Sequence, residues 1–320
     1  MPARRRSGPG VCRWQSLADT FRHIASFTGR TESAEHIKPL HWYVACRLVL
    51  EGGFLPDEVM PRPPFRIEFR GNLPPLVHYD EAVATGGEQI VYGGLKTKNV
   101  DVVVTKPGLG PVLAISLKGM QGAFRNLTNR LEEMVGECTN LHITYPALTL
   151  GYLLVLNGNR RPAADLRSSS RELQANDLAF DSQGEPVSSI VRIHYALTQL
   201  HGRRGIREDG SRYEAASLAL IETSGPEMGA LIGTYPSADS PLRFENFFAT
   251  LYSQYDERFV YGAPLLVTRR VTPRRLWSPA SPVFASETAA TCPGLDFAPR
   301  TAADPTQPVI DDTADDPTVG

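Results

Sequence analysis

Four residues whose side chains could hold a metal ion and activate water lie close together in the chain. Asp101 ends one apolar run, Ser116 and Lys118 lie in the next, and Glu132 follows in a helical stretch. Mg²⁺ prefers oxygen ligands and keeps several of its waters. A carboxylate beside a lysine could hold such an ion and orient one water for attack on a phosphodiester, while the metal neutralises charge in the transition state.

A predicted β-hairpin brings three of these residues onto one face. The runs 100–104 and 112–118 are apolar and β-branched, and a segment rich in Pro and Gly separates them. In such a hairpin Asp101 lies opposite Ser116, and Lys118 lies two residues further on the same face. The other face is predicted to be apolar and to carry Val100, Val102, Val104, Leu113, Ile115 and Leu117.

The helical stretch after Lys118 supplies a predicted second carboxylate, since one carboxylate rarely suffices to hold a cation. Glu132 is the preferred candidate, and Glu133 is its neighbour, about 100° further round the helix, so only one of them can point into the site. The alternative is that Lys118 is an ordinary strand-end lysine in water and that the two glutamates belong to a solvated helix face.

The arrangement resembles the PD-(D/E)XK nuclease superfamily, which is best known from type II restriction endonucleases. Members have an Asp at the end of one strand and an acidic-x-Lys triplet on the next. Here Asp101 follows Val100 where the family has a proline, and Ser116 replaces the acid of the triplet that ends at Lys118.

One subgroup of restriction endonucleases has the same Ser-x-Lys triplet. Its missing glutamate lies on the following helix, some thirteen residues past the lysine, and thirteen residues separate Lys118 from Glu132 in this chain. The resemblance covers roughly residues 88–157.

The resemblance implies roles for individual residues. Asp101 and Glu132 would be metal ligands, and Lys118 would orient or deprotonate the attacking water. Ser116 would be a supporting hydroxyl or a small spacer. Glu88 is a candidate supporting acid, because family members sometimes place one upstream of the Asp strand. The implied cofactor is Mg²⁺, with Mn²⁺ as a possible substitute.

The first functional interpretation is a metal-dependent endonuclease for double-stranded DNA, a type II restriction endonuclease that acts as a homodimer and has a cognate DNA methyltransferase as its genetic partner. The second is a repair, recombination or defence nuclease on the same fold. The third is a catalytically inactive DNA-binding or scaffold protein that has lost metal binding. This interpretation stays open because Ser116 replaces the acid of the triplet. An approach of roughly 4–6 Å between the carboxylates of Glu132 and Asp101 would favour a metal, because like charges that close need a cation.

Four arginines in two basic clusters are predicted to contact DNA outside this core, where phosphate contacts position the protein and base contacts specify the sequence. They are Arg203, Arg204, Arg269 and Arg270. An aromatic helix over residues 244–259 is a candidate dimer interface. His36 and His41, on the second predicted helix, are interpreted as surface or hydrogen-bonded core histidines rather than ligands.

The order of predicted elements indicates an α/β fold, a three-layer α/β/α sandwich with a mixed central sheet and a restriction-endonuclease-like core. We predict one domain over residues 13–277 with its catalytic core at about 88–222. Residues 1–12 and the Pro-, Ala- and Asp-rich segment 278–320 are predicted to be disordered.

Composition excludes some classes of protein. The four cysteines lie far apart, without the spacing of a zinc site or a disulfide framework, which predicts a reduced, intracellular protein. No apolar run is long enough to span a bilayer, so no membrane partner is expected. The formal net charge of −2 gives no overall attraction to nucleic acid, and any such attraction would be local to the basic clusters.

Overall fold

A computed structural model describes residues 13–29, 35–122, 124, 127–160, 173–262, 272–285 and 294–303. The N-terminal segment 1–12, predicted to be disordered, lies outside the described residues. None of the helices formed by the described residues combines the length and the apolar character that crossing a membrane requires.

The described residues form a mixed α/β structure with five α-helices and a five-stranded mixed sheet. The helices are α1 (Leu17–Ser26), α2 (Lys38–Leu50), α3 (Leu127–Thr144), α4 (Ser188–Leu200) and α5 (Phe244–Asp256). The strands are β1 (Val59–Met60), β2 (Phe65–Arg70), β3 (Leu73–Tyr79), β4 (Gln89–Val91), β5 (Lys98–Val100), β6 (Val102–Lys106), β7 (Gly110–Met120), β8 (Thr149–Asn157) and β9 (Ala215–Ile221).

The main sheet has the strand order β1-β6-β7-β8-β9. β1, β6 and β7 pair antiparallel, whereas β7, β8 and β9 pair parallel. Helix α3 connects β7 to β8, and α4 lies between β8 and β9. Every residue of β8 and β9 is buried, as expected for parallel strands that are covered on both faces.

The predicted hairpin is confirmed as β6 and β7. Val102 pairs with Ile115, and a bulge between Val104 and Thr105 shifts the register near the turn. The turn contains Gly108 in a left-handed conformation with φ 75°, which glycine adopts without steric cost.

The two faces of the sheet bury separate hydrophobic clusters. Val102 and Val104 belong to the first cluster, whereas Val103 belongs to the second, as strand alternation requires. Val100 differs from the predicted pattern, because it packs in the second cluster with Val103. The reason is that β5 ends at Val100 and β6 begins at Val102, so Asp101 separates two strands and the alternation restarts after it.

Helices cover both faces of the sheet. α2 and α5 contribute Leu48 and Phe247 to the first cluster, and α3 and α4 contribute Met134 and Ile193 to the second. All four side chains are almost completely buried. This arrangement places α2 on one side of β7 and α3 on the other.

The C-terminal part of the described chain differs from the disordered segment predicted from residue 278. Residues 278–285 and 294–303 return to the body of the protein. The Ser278 amide donates a hydrogen bond to the Pro75 carbonyl at 2.9 Å, and the Arg300 amide donates one to the Leu50 carbonyl at 2.9 Å. These contacts could not be predicted from a composition rich in Pro, Ala and Asp. Residues 286–293 and 304–320 lie outside the described residues.

Candidate metal centre

The structure brings Asp101 and Lys118 together, as the hairpin predicts. Asp101 lies between β5 and β6 and is only 5% exposed. Its Oδ2 accepts a hydrogen bond from the Leu117 amide at 2.6 Å and lies 3.2 Å from Lys118 Nζ. The β6–β7 register sets this contact. Val102 pairs with Ile115, so Asp101, one residue earlier, lies beside Ser116 and Leu117 of β7.

Lys118 is held as a cation. Burial by itself lowers the pKa of Lys118, but the carboxylates of Asp101 and Glu137 outweigh it, and the pKa lies above its usual value. Its side chain remains 27% exposed, so the ammonium can still reach solvent or a ligand. In this state Lys118 is a proton donor and a positive charge rather than a base.

Ser116 contacts a carboxylate of α3 that the sequence did not single out. Its hydroxyl donates to Glu137 Oε1, and Glu137 Oε2 forms an ion pair with Lys98 Nζ at 2.7 Å. The Glu137 side chain is only 3% exposed. Its position three residues after Met134 and four before Leu141, both buried, places it on the inward face of α3. That spacing is the signal by which Glu137 could have been found.

The two glutamates predicted on this helix are both exposed. Glu133 forms an ion pair with Arg130 at 2.7 Å. Among the described contacts, no hydrogen bond or ion pair joins Glu132 to Asp101 or Lys118. The ligand role of Glu132 therefore stays a prediction from spacing, and Glu137 is the acid that the fold places beside Ser116.

Two further side chains, those of His41 and Glu88, lie close to Asp101. One ligand atom each from His41, Glu88 and Asp101 lies within 4.8 Å of the others. His41 comes from the start of α2, and Glu88, an exposed residue, directly precedes β4. Two carboxylates at this separation repel each other unless a cation lies between them. Carboxylates and imidazole are common ligands of divalent metal ions.

The two histidines of this region differ in their contacts. His36 Nε2 lies 3.2 Å from the Gly119 carbonyl, as predicted for a hydrogen-bonded core histidine, whereas its Nδ1 atom has no hydrogen-bond partner among the described residues. His41 is also buried, but its Nε2 has no hydrogen-bond partner among the described residues and lies 3.7 Å from Asp101 Oδ1. Burial lowers the pKa of His41 more than the Asp101 carboxylate raises it, which favours the neutral ring.

The predicted DNA-contacting arginines have different surroundings. Arg203 is 1% exposed, forms an ion pair with Glu214 at 2.7 Å and donates to the Pro146 carbonyl, so its guanidinium cannot reach DNA in this structure. Arg204 is exposed and remains a candidate. Arg269 and Arg270 lie outside the described residues.

Helix α5 does not present its aromatic side chains at the surface. Phe247, Phe248 and Tyr255 are buried in the first hydrophobic cluster of the same chain. The aromatic composition that suggested a dimer interface therefore reflects packing of α5 against the sheet.

Comparison of the chain with protein-family models, with curated proteins and with solved structures found no match. The geometry of the centre and its resemblance to a nuclease motif are thus the basis for a functional proposal.

Proposed function

We propose that this protein is a metal-dependent endonuclease that hydrolyses phosphodiester bonds of double-stranded DNA, as a type II restriction endonuclease does. The observation that carries the proposal is the position of Asp101. Its Oδ2 atom lies 3.2 Å from the Lys118 ammonium and its Oδ1 atom lies 3.7 Å from His41 Nε2, and Glu88 belongs to the same group. A charge arrangement of this kind suits a cation and a polarised water better than it suits a hydrophobic core.

The architecture supports the same interpretation. An antiparallel hairpin, a helix and a parallel strand follow one another as β6, β7, α3 and β8, with helices on both faces of the sheet. This is the order of elements that the resemblance implies, and it supports a three-layer restriction-endonuclease-like core as part of the proposal. In such a core Asp101 and the β7 residues Ser116 and Lys118 would carry the reacting groups.

The residues of the chain have separable roles in the proposed reaction. A divalent ion, when bound, would supply positive charge to the phosphate oxygens and lower the pKa of a bound water. Asp101 and Glu88 would hold it through carboxylate oxygens. Lys118, positioned by Asp101, would donate a hydrogen bond to the attacking water or to a phosphate oxygen and stabilise the developing negative charge. Ser116 holds Glu137 where its charge supports the protonated state of Lys118.

The alternative is an inactive DNA-binding protein on the same fold. The replacement of the triplet acid by Ser116 favours it, whereas the close approach of Glu88 to Asp101 favours a working metal centre. A repair or defence nuclease would use the same centre. A DNA methyltransferase gene beside this one would favour restriction over repair, since an unprotected host would be cut by its own enzyme.

The test is cleavage of supercoiled plasmid DNA by the purified full chain in Mg²⁺ and in Mn²⁺. Asp101→Asn should lose cleavage by roughly a hundredfold or more, because the neutral amide neither attracts the cation nor holds Lys118. Asp57→Asn is the matched control, since Asp57 is an exposed aspartate whose ion-pair partner is Arg62.

The unfolding temperature of Asp101→Asn should change little, because the lost ion pair with Lys118 is offset by relief of the repulsion between Asp101 and Glu88. Equal cleavage by Asp101→Asn and the parent would show that the centre is assigned wrongly. Absence of cleavage by the parent in either metal, with DNA binding intact, would favour the inactive DNA-binding protein.

A further inference from the structure

His41 is a buried polar side chain without the partner that such groups normally have. It is 5% exposed, and its Nε2 atom forms no hydrogen bond within the described part of the chain. Buried polar atoms in folded proteins are almost always hydrogen-bonded, so an unpartnered ring nitrogen beside two carboxylates is a candidate ligand atom. The nearest acidic oxygen, Asp101 Oδ1, is 3.7 Å away, which is too far for a hydrogen bond.

The same separation lies between the two distances expected for ligands of one octahedral ion. With metal–ligand distances of about 2.1 Å, ligands of an octahedral ion lie about 3 Å apart when adjacent and about 4.2 Å apart when opposite. The ligand atoms of His41, Asp101 and Glu88 all lie within 4.8 Å of one another, so small side-chain movements would bring them to one ion. Glu88 is exposed and free to make that movement.

We propose that His41 Nε2 is a nitrogen ligand of the centre and that the centre takes a first-row transition-metal ion, with Mn²⁺ bound in preference to Mg²⁺. Mg²⁺ selects oxygen ligands, whereas imidazole is a common ligand of transition metals. This inference deepens the proposed function, because it names the cofactor of the same centre and adds a ligand that the family resemblance does not supply.

The first experiment needs no variant. The metal-free full chain, without DNA, is loaded with Mn²⁺ and examined by pulsed electron paramagnetic resonance for modulation of the spin echo by a directly bonded nitrogen. The proposal expects this imidazole nitrogen signal in the parent protein. A Mn²⁺ complex without nitrogen coupling, or no Mn²⁺ binding at all, would overturn it.

The second experiment compares His41 and His36, the two buried histidines of this region, by calorimetric titration with Mn²⁺ and with Mg²⁺. His41→Gln should weaken Mn²⁺ binding at least about tenfold and lose the nitrogen signal, and its preference for Mn²⁺ over Mg²⁺ should fall by a similar factor. His36→Gln is the matched control and should behave as the parent, because the Nε2 atom of His36 already contacts the Gly119 carbonyl.

Two carboxylate variants keep the inference testable if His41→Gln does not fold. Glu88→Gln changes an exposed residue and should weaken Mn²⁺ binding while the nitrogen signal persists in the remaining complex. Mn²⁺ affinity that is unaffected by both Glu88→Gln and Asp101→Asn would overturn the proposal, since the ion would then lie elsewhere.

These measurements separate this inference from the proposed function. A nitrogen-coupled Mn²⁺ ion in a protein that does not cleave DNA would leave the metal assignment standing and contradict the nuclease. DNA cleavage in Mg²⁺ by a protein whose Mn²⁺ complex shows no nitrogen coupling would support the nuclease and contradict the His41 ligand.

Discussion

At the scale of single residues, the charge state of Lys118 decides which chemistry it can perform. Its ammonium lies 3.2 Å from Asp101, and the two nearby carboxylates outweigh burial and raise its pKa. A lysine that stays protonated cannot act as the general base. In the proposed nuclease it would orient a water and stabilise negative charge on the phosphate, and these roles would belong to the chemical step rather than to DNA binding.

Lys118→Ala should therefore lose cleavage by roughly a hundredfold or more and keep DNA binding. Gel-shift titration in Ca²⁺, which occupies oxygen-rich sites but supports hydrolysis poorly, measures binding separately from cleavage. Lys96→Ala, at an exposed lysine, is the control. Loss of binding together with activity in Lys118→Ala would instead indicate that this lysine anchors a phosphate.

The identity of the acid on α3 is a second question at this scale. Glu137→Gln should reduce cleavage about tenfold or more, because the amide removes the charge that supports Lys118 while it preserves the hydrogen bond from Ser116. Glu132→Gln and Glu133→Gln should cleave as the parent does, since among the described contacts neither side chain is joined to Asp101 or Lys118, and Glu133 pairs with Arg130. Plasmid cleavage assays check all three, with thermal unfolding to confirm that the variants fold.

The opposite result would be informative. An inactive Glu132→Gln beside an active Glu137→Gln would show that the thirteen-residue spacing identifies the ligand and that α3 rearranges when metal and DNA bind.

At the scale of elements, a buried ion-pair network joins the start of β9 to its surroundings. Glu214 directly precedes β9 and contacts the guanidinium groups of Arg203 and Arg258, each at 2.7 Å. The Glu214 side chain has no solvent exposure, and its Oε2 accepts a hydrogen bond from the Leu150 amide of β8. The network thus ties two parallel strands and the loop after α4 together, and it explains why Arg203 is a structural residue.

Glu214→Gln should destabilise the protein by about 3–5 kcal/mol, because it leaves two buried guanidinium groups without their counter-charge. Urea unfolding measures the change. The control Glu222→Gln breaks a partly exposed pair with Arg160 and should change the free energy of unfolding by less than about 1 kcal/mol. Equal effects of the two substitutions would contradict the assigned role of Glu214.

The Glu214 carboxylate should also make the stability of the protein sensitive to acid. Burial alone raises the pKa of Glu214, but the hydrogen bond with His142 and the charge of Arg258 outweigh it, and the pKa lies below its usual value. A lowered pKa in the folded state stabilises the protein above the unfolded-state pKa of about 4.3. The parent should lose this contribution as the pH falls through the lowered pKa, whereas Glu214→Gln should show a flatter dependence of its unfolding free energy between about pH 5 and pH 2.

At the scale of the whole molecule, the C-terminal return connects segments that are distant in the chain. Asp296 accepts hydrogen bonds from the Tyr43 hydroxyl of α2 at 2.8 Å and from the amide of Leu17, the first residue of α1, at 2.6 Å. A carboxylate at a helix N-terminus also interacts favourably with the helix dipole. The return therefore holds α1 against α2, the helix that carries His41.

Asp296→Ala should lower the free energy of unfolding by about 1–3 kcal/mol, because it leaves the Tyr43 hydroxyl and the Leu17 amide without this acceptor. Hydrogen exchange at the amides of α1 should accelerate in the variant. The control Asp57→Ala removes an exposed ion pair and should have a small effect. An unchanged exchange pattern in α1 would mean that the return is peripheral to stability.

The sequence alone determined those features that depend on local pattern. The apolar runs and the turn between them predict the β6–β7 hairpin, and its period of two places Asp101 near Lys118. The continuous apolar run that became β8 predicts a buried central strand, as the structure shows. Local periodicity carries this information because side chains alternate across a strand whatever the rest of the fold does.

Only the tertiary structure decided which distant residues join the candidate centre. His41 reaches Asp101 from α2, some sixty positions earlier in the chain, and Glu137 is selected by the way α3 lies across β7 rather than by its distance from Lys118. In a sequence, a structural histidine on an apolar helix cannot be distinguished from a functional one, and the same holds for a glutamate among buried residues. Burial and contact geometry separate the two cases, because both depend on packing between elements that no local pattern specifies.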